Sequence, residues 1–495
     1  MTRTPSLESR LVRAILGRER ASVLDTDAYK LSMAQAGFPL RRESFYLTFR
    51  REGQWFNPFD LAEVLRLFRP LHPDLKERGF LQTWGYGLTP AMEKALDAEM
   101  DIYAVPKGQW FAPREPIARV TSSSLLASWL EPLALMLHYP LQLATEMKAG
   151  AVCFPTTCED EAEIVRIVWE ALGMDDEPQI LVDPAKYTKN VLSTVEDLSI
   201  ALGGETERAF EVGMRSATCI QQHRLALQAC KRGGIERTSN LYLAYELNMI
   251  PVGTTGHEHQ MRFDSDLDAF RAIRDTRPET PSYLFDTYDP LNIGIPAIMR
   301  VVLEDPDQRF TMRFDDYKGQ EPQFEKLWAF TQEHAPHGNY IFEDGYDTEK
   351  THRNEVFLYK HEFPRSQAWY GYGGFIVAKP AFSELTRDKV SAAWKLCETA
   401  GEGRMKFSGS PGKESLPGRL MTFVRVNDPT IRMVAQVGEH PPEGFARFDF
   451  PGIYTLADYD PRDITLTLSP RTSQMVQECT ARRDAMYTTH PHRSK

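Results

Sequence analysis

Between residues 160 and 391 the sequence repeats one rhythm, and that rhythm constrains the fold more than any other feature. Short strand-like runs stand at 179–183, 209–213, 249–254, 282–286, 309–314, 339–343 and 367–371. A shorter run covers Ile235-Glu236-Arg237-Thr238. Helical segments or long connections separate most of them; Ile164, Val165, Ile167, Val168, Ala171 and Leu172, for example, have helical spacing. Such alternation builds a parallel sheet, because each strand must return to the same edge by a crossover. The expectation is an α/β fold with an irregular parallel β/α barrel over 156–391; an open doubly wound sheet is the alternative. Both gather ligand-binding groups at the carboxyl ends of the strands.

The flanks read differently. Residues 6–17 have the pattern of a short amphipathic helix. Glu43-Ser44-Phe45-Tyr46-Leu47-Thr48-Phe49 alternates like a half-buried strand, and Trp110-Phe111-Ala112-Pro113-Arg114-Glu115-Pro116 reads as a turn-rich connection. Residues 393–425 become strand-like again, with Pro and Gly turns. The expected second domain is a discontinuous α+β unit of 20–155 plus 392–480. The last fifteen residues are polar and are expected to fray.

A formal net charge of -11 argues against a nucleic-acid-binding surface, which needs a basic face. It leaves room for a local basic pocket facing a phosphorylated small molecule. The six cysteines form no CxxC pair, so neither a structural zinc site nor a disulfide framework is indicated, and they are expected to be small buried apolar groups. No signal-peptide pattern and no apolar run of about 18 residues is present. The expected location is the cytoplasm, with no membrane and no nucleic-acid partner.

The strand ends carry the polar residues. They include Met214-Arg215-Ser216, Thr238-Ser239-Asn240, His257 after Gly253-Thr254-Thr255-Gly256, Asp286-Thr287-Tyr288-Asp289, Arg313-Phe314-Asp315, Asp344-Gly345 and Gly371-Tyr372-Gly373-Gly374. Arg215 and Arg313 can clamp a phosphate or carboxylate through two N–H groups. Gly373 and Gly374 can bring backbone N–H groups to a phosphate. Asp286 and Asp315 can accept from ribose hydroxyls or position Mg²⁺ through its waters. Singly, each has a structural explanation: a surface ion pair, a helix cap, a tight turn. Their joint position at successive strand ends points to a phosphorylated sugar.

Two other patterns compete. On a strand, His257 and His259 would present both imidazoles on one face, as in a zinc-dependent barrel hydrolase. The later strand ends offer Asp and Arg and no histidine, so no protein metal-ligand set is assigned. Ser408-Gly409-Ser410-Pro411-Gly412-Lys413-Glu414 lacks the first glycine of a phosphate-binding loop and places Glu414 where Ser or Thr should stand.

Taken in order, these segments resemble the nicotinate phosphoribosyltransferase family. The resemblance runs from about residue 24 to 420. It starts at Leu24-Asp25-Thr26-Asp27-Ala28-Tyr29-Lys30 and passes through Gly213-Met214-Arg215, Thr238-Ser239-Asn240, Pro251 to Glu258, and Asp286 to Asp289. It continues through Arg313-Phe314-Asp315, Gly371 to Gly374, Lys406-Phe407-Ser408, Pro411-Gly412-Lys413 and Leu416-Pro417-Gly418.

The resemblance implies a discontinuous α+β domain with an irregular barrel, and a homodimer with active sites between subunits. It implies transfer of the phosphoribosyl group of 5-phosphoribosyl-1-pyrophosphate to nicotinate in NAD salvage, with Mg²⁺ and with ATP as co-substrate. His257 then corresponds to the histidine phosphorylated by ATP; Asp286 and Asp315 are the further catalytic candidates, expected to hold the ribose and the Mg²⁺ hydration shell. Tyr29 corresponds to the ring-stacking aromatic residue supplied across the dimer. Arg215, Thr238, Ser239, Arg313, Gly373 and Gly374 correspond to substrate-binding positions.

Three positions depart from the family pattern. Ser216 replaces the second Arg of an Arg-Arg pair, Arg237 replaces a glycine, and Gly374 replaces a threonine. The last brings the loop closer to nicotinamide phosphoribosyltransferase, a relative. That relative places an Asp where Ser239 stands, and a carboxylate there would repel nicotinate, so Ser239 favours the acid over the amide. The alternatives are the amide-using enzyme, the metal-dependent hydrolase, and a relative that binds nucleotides without catalysis.

Overall fold

A computed structural model describes residues 5–407, 414–449 and 461–489. Seven short strands form one sheet in the order Ile250–Pro251, Arg237–Thr238, Ala209–Glu211, Ala368–Tyr372, Asn339–Phe342, Thr311–Phe314 and Ser282–Leu284. Every pairing in it is parallel. The register sets the carboxyl ends level: Phe314 lies opposite Phe342, Phe342 opposite Tyr370, Tyr372 opposite Glu211, and Glu211 opposite Thr238. Helices such as Ile220–Arg232, Asp266–Thr276, Ile295–Glu304 and Gln320–His334 make the crossovers. Their apolar faces and the strands share one core, in which Phe314 and Phe342 have ring centroids 5.1 Å apart.

The sheet curls without closing by a strand ladder. Its edges, Ile250–Pro251 and Ser282–Leu284, are bridged by side chains: Thr255 Oγ1 donates to Ser282 O at 3.3 Å, and Arg313 Nη1 donates to Thr255 O at 2.7 Å. The run expected at 249–254 contributes only two ladder residues. Pro251 has no N–H to give a ladder, and beyond it the chain turns toward the site.

One expected barrel strand lies elsewhere. Gln179–Val182 pairs with Cys153–Thr156 in a separate two-stranded sheet. A short apolar run followed by a helix has the same local signature in either place, and only the identity of its partner differs.

The flanking segments meet in a five-stranded sheet. Ala392–Thr399 pairs antiparallel with Arg42–Phe49, which pairs with Ala118–Ser123. The helix expected at 6–17 is Leu7–Leu16; Ser6 Oγ accepts from Ser9 N, and Gly17 closes it at φ 68°, a value that favours glycine. Strands at Leu420–Arg425, Asp428–Gln436, Phe445–Arg447 and Thr465–Leu468 add a four-stranded sheet. The tail is not frayed through Thr489: Pro470–Thr489 is a helix. All six cysteines are free, and Cys153 is exposed where burial was expected. Among the described residues, no helix is long and apolar enough to cross a membrane.

Candidate active site

The strand ends converge on two adjoining cavities. The first, of about 710 Å³, is lined by Tyr29, Arg215, Ser239, Gly253, Ser282, Arg313 and Glu343, and by Arg237 and Trp369 deeper in the barrel. The second, of about 760 Å³, is lined by His257, Asp315, Gly373, Gly374, Lys395 and Lys406. Tyr29, Arg215, Arg313 and Glu343 line both.

His257 sits where the extended segment becomes a helix. Gly256 is the N-cap, and His257 opens the short helix His257–Met261. Its Nε2 lies 2.7 Å from Lys406 Nζ and 3.3 Å from Asp315 Oδ2. Its Nδ1 lies 3.1 Å from Thr287 Oγ1 and 3.9 Å from Asp286 Oδ1. Burial and the nearby Lys406 cation hold its pKa below the ordinary value against Asp286 and Asp315, so the imidazole is neutral near pH 7. Burial disfavours the charged form of Asp315, but Arg313 and His257 override it and hold the carboxyl well below its usual range.

His257, Asp286 and Asp315 bring one ligand atom each within 4.8 Å of one another. Two carboxylate oxygens and an imidazole nitrogen could hold a divalent cation, but the Lys406 ammonium already stands among them, 2.7 Å from His257 Nε2 and 3.5 Å from Asp286 Oδ2.

His259 does not share this site. Two residues on within a helix, its ring points away from His257. It is fully buried, with Nε2 2.8 Å from Ala269 O. Burial lowers its pKa to about 3. The His257/His259 metal pair required the segment to stay extended, and Gly256 ends the extension.

Arg313 is held by acceptors of its own chain. It donates to Thr254 Oγ1 at 3.1 Å, and its Nη2 meets Glu343 Oε2 at 2.9 Å and Asp315 Oδ2 at 3.4 Å. Arg215 lies 5.6 Å from the Tyr29 ring centroid, with its Nε 3.4 Å from Asp27 Oδ2. The Tyr29 hydroxyl donates to Glu131 Oε2 at 2.7 Å. Ser239 Oγ donates to Asp27 Oδ1 at 2.5 Å. The Ser239 proton is therefore engaged inside the protein and is not free for a substrate carboxylate.

Thr238 is fully buried, outside the walls of both cavities, with its hydroxyl on Glu211 Oε2 at 2.7 Å. It braces the rim. Gly371 and Gly374 are tightly enclosed: a Cβ would meet Glu343 Cγ at 2.7 Å in the first case, and Asp388 Oδ2 at 3.1 Å and Ser216 Oγ at 3.3 Å in the second. Two of the family departures, Ser216 and Gly374, thus face each other. The third, Arg237, lies over the Trp369 ring at 5.2 Å.

Sequence reasoning missed Glu131, Glu343 and Lys395 as site residues, and used Thr287 and Lys406 only as parts of motifs. Lys395 projects from the strand Ala392–Thr399 into the second cavity. Burial first, then Lys406 and Arg50, lower its pKa to about 7. The only signal in the sequence was a lone lysine amid an apolar strand. Residues 408–413, which hold most of the segment rejected as a phosphate-binding loop and part of the family motif, lie outside the described residues.

No protein-family model matches the sequence. A nicotinate phosphoribosyltransferase of Bacillus subtilis is 23% identical over 251 residues, 50% of this chain and 49% of that protein. The match therefore spans about half the length of this curated relative. Crystal structures of nicotinate phosphoribosyltransferases superpose over most of their length. That from Porphyromonas gingivalis has a TM-score of 0.56 at 18% identity, covering 80% of this chain and 96% of that one. That from Vibrio cholerae has a TM-score of 0.55 at 18% identity, covering 81% and 92%.

The chain has the fold of the nicotinate phosphoribosyltransferases, and about half of it is similar in sequence to one of them. The two cavities and the His257 cluster are what this relative places at the carboxyl rim of that fold.

Proposed function

We propose that the chain joins nicotinate to the phosphoribosyl group of 5-phosphoribosyl-1-pyrophosphate, giving nicotinate mononucleotide and pyrophosphate. One observation carries this reading: an aromatic, arginine-bearing cavity and a cavity bearing Lys395 and Lys406 share the walls Tyr29, Arg215 and Arg313. A flat anionic ring suits the first, with Tyr29 against its face and Arg215 or Arg313 on its carboxylate. The phosphates suit the second, against Lys395, Lys406 and the backbone at Gly373 and Gly374.

The pyridine nitrogen attacks C1 of the ribose as the C1–oxygen bond to pyrophosphate breaks and its electron pair leaves on pyrophosphate. The transition state has oxocarbenium character, as in glycoside cleavage. The protein contributes position and charge rather than covalent chemistry. Asp286 and Asp315 face the ribose and the cation position. When bound, Mg²⁺ neutralises charge on the leaving pyrophosphate.

ATP coupling rests on His257. With Nδ1–H directed at Thr287 Oγ1, Nε2 is unprotonated and accepts from Lys406; Lys406 turns to the incoming phosphate as that lone pair attacks the γ-phosphorus. The N–P bond forms as the bond to ADP breaks, and Lys406 neutralises the arriving charge. Labelled γ-phosphate should appear as an acid-labile group on wild type and be lost in His257→Ala; a label that persists removes His257 from that role. An equimolar mixture of nicotinate and nicotinamide tests the acceptor, with the acid mononucleotide as the dominant expected product. Dominance of the amide mononucleotide would reverse the assignment.

A further inference from the structure

The family pattern has a glycine where Arg237 stands, two residues before Ser239. Residues two apart on a strand line one face of a sheet, and the curl of this sheet turns that face inward. Ser239, Arg313 and Glu343 line the cavity near the carboxyl rim; Arg237, Thr311 and Ile341, each two residues earlier, line it deeper in the barrel. Phe210 and Trp369 share the deeper layer. A cavity of about 710 Å³ has the size that takes a drug-sized molecule. One pyridine ring against Tyr29 therefore leaves the deeper layer to another group.

The arginines of this cavity are not alike. Arg215 Nε lies 3.4 Å from Asp27 Oδ2, and its Nη1 lies 3.9 Å from Glu131 Oε1. Arg313 Nη2 lies 2.9 Å from Glu343 Oε2 and 3.4 Å from Asp315 Oδ2. Arg277, on the loop before Ser282, is taken up by Gly85 O at 3.0 Å and the Tyr86 ring at 4.6 Å, with Glu279 two residues on. Arg237 has no carboxylate partner among the described residues. Its guanidinium lies 5.2 Å from the Trp369 ring centroid, and its Nη1 donates to Glu207 O at 3.0 Å. These contacts fix its place and leave its charge uncompensated.

Two further donors in the same wall are unused. The Ser282 hydroxyl and the Trp369 indole N–H are shielded from solvent and have no hydrogen-bond partner among the described residues. A buried donor without an acceptor costs free energy, and a bound anion supplies the acceptor.

We propose that Arg237, Trp369 and Ser282 form an anion subsite in the barrel lumen, and that it takes the carboxylate of a planar aromatic acid. The indole face, Phe210 and Ile341 suit a flat ring. The remaining N–H groups of the Arg237 fork suit the carboxylate. The acid is either the acceptor itself, sunk below Tyr29, or a second molecule beneath it. That an acceptor ring lies above rests on the proposed function; the subsite itself does not.

Benzoate is the probe, because it has the ring and the carboxylate but no ring nitrogen to take a ribosyl group. The Trp369 indole N–H resonance, assigned by its loss in Trp369→Phe, should move as wild type is titrated with benzoate and stay in place with uncharged benzyl alcohol. In Arg237→Gly the dissociation constant should rise by a factor on the order of 10–100, the scale for losing charged hydrogen bonds. That variant carries the residue of the family pattern, and the other indole resonances report whether its fold is kept. Arg237→Lys should fall between the two, keeping the charge and losing the fork. Benzoate displaced by nicotinate would assign the subsite to the acceptor; a benzoate shift that persists in saturating nicotinate would assign it to a second acid. An unmoved resonance in wild type, an equal shift with benzyl alcohol, or an equal dissociation constant in Arg237→Gly would overturn the proposal and leave the Arg237–Trp369 stack as a plug of the barrel. If wild type transfers nothing, the functional reading fails and the titration still decides the subsite.

Discussion

Lys406 Nζ lies 2.7 Å from His257 Nε2 and 3.5 Å from Asp286 Oδ2. A residue from the C-terminal segment thus places its charge on the barrel histidine. After burial, it is the main cause that keeps the imidazole unprotonated, and it stands where a transferred phosphoryl group would add negative charge.

Lys406→Met should raise the His257 pKa, because burial remains but the cation that adds to its depression is gone. Titration of the His257 ring protons by NMR reads this directly. ATP-stimulated turnover should fall by a factor on the order of 100, the scale for losing one charge-stabilising group. An unchanged titration would show that Lys406 does not face the ring.

Lys395 should make phosphate binding pH-dependent. Its pKa is lowered to about 7, by burial first and then by Lys406 and Arg50, so it is charged below pH 7 and increasingly neutral above. A bound phosphate favours the charged form, so binding at pH 8 should take up a proton. Calorimetry of pyrophosphate binding in buffers of differing ionisation enthalpy measures the uptake. Lys395→Met should abolish it and weaken binding most at low pH.

Asp266 should cost stability as pH rises. Burial first, then Asp286, push its pKa to about 8 in the folded chain, and neither carboxylate oxygen has a hydrogen-bond partner among the described residues. Between about pH 4 and 8 the folded state keeps a proton that the unfolded state releases, so this group's contribution falls with rising pH across that window. Asp266→Asn should flatten the decline seen in denaturant titrations and be the more stable protein at pH 8. An equal slope in both would place the ionisation elsewhere.

Two glycines should behave oppositely. At Gly253 a Cβ would meet Tyr29 N at 2.6 Å and Ala28 C at 2.9 Å, both backbone. Gly253→Ala should therefore displace Tyr29, cost stability by about 1–3 kcal/mol and reduce transfer. Gly79, within the helix Leu75–Thr83, has nothing within 4 Å of its Cβ position. Gly79→Ala should stabilise by about 0.5–1 kcal/mol without touching activity. Thermal melts and steady-state rates on both variants check the pair.

The barrel was legible because its parallel strands are buried and its crossovers are helical, so apolar runs and helical spacing alternate. Gln179–Val182 was misplaced because a run of that length says nothing of its partner. The strand ends were legible as polar residues after apolar ones, and Arg215, His257, Arg313 and Asp315 do meet around the joined cavities. His259 misled because period-two spacing holds only while the chain stays extended, and Gly256 caps a helix. Ser239 misled because its partner Asp27 lies 212 positions away. Lys395 and Glu131 escaped notice for the same reason: they reach the site from the five-stranded sheet and from a helix beside it, and no local pattern records which face meets the barrel.

The central claim is the transfer itself. Wild-type protein is incubated with 5-phosphoribosyl-1-pyrophosphate, Mg²⁺, ATP and ring-labelled nicotinate, and the label and pyrophosphate are quantified together. Nicotinate mononucleotide and pyrophosphate are expected in equal amounts, with turnover lowered by a factor on the order of 100 in Asp315→Asn. Pyrophosphate release without labelled mononucleotide, or no consumption of either substrate, would contradict it.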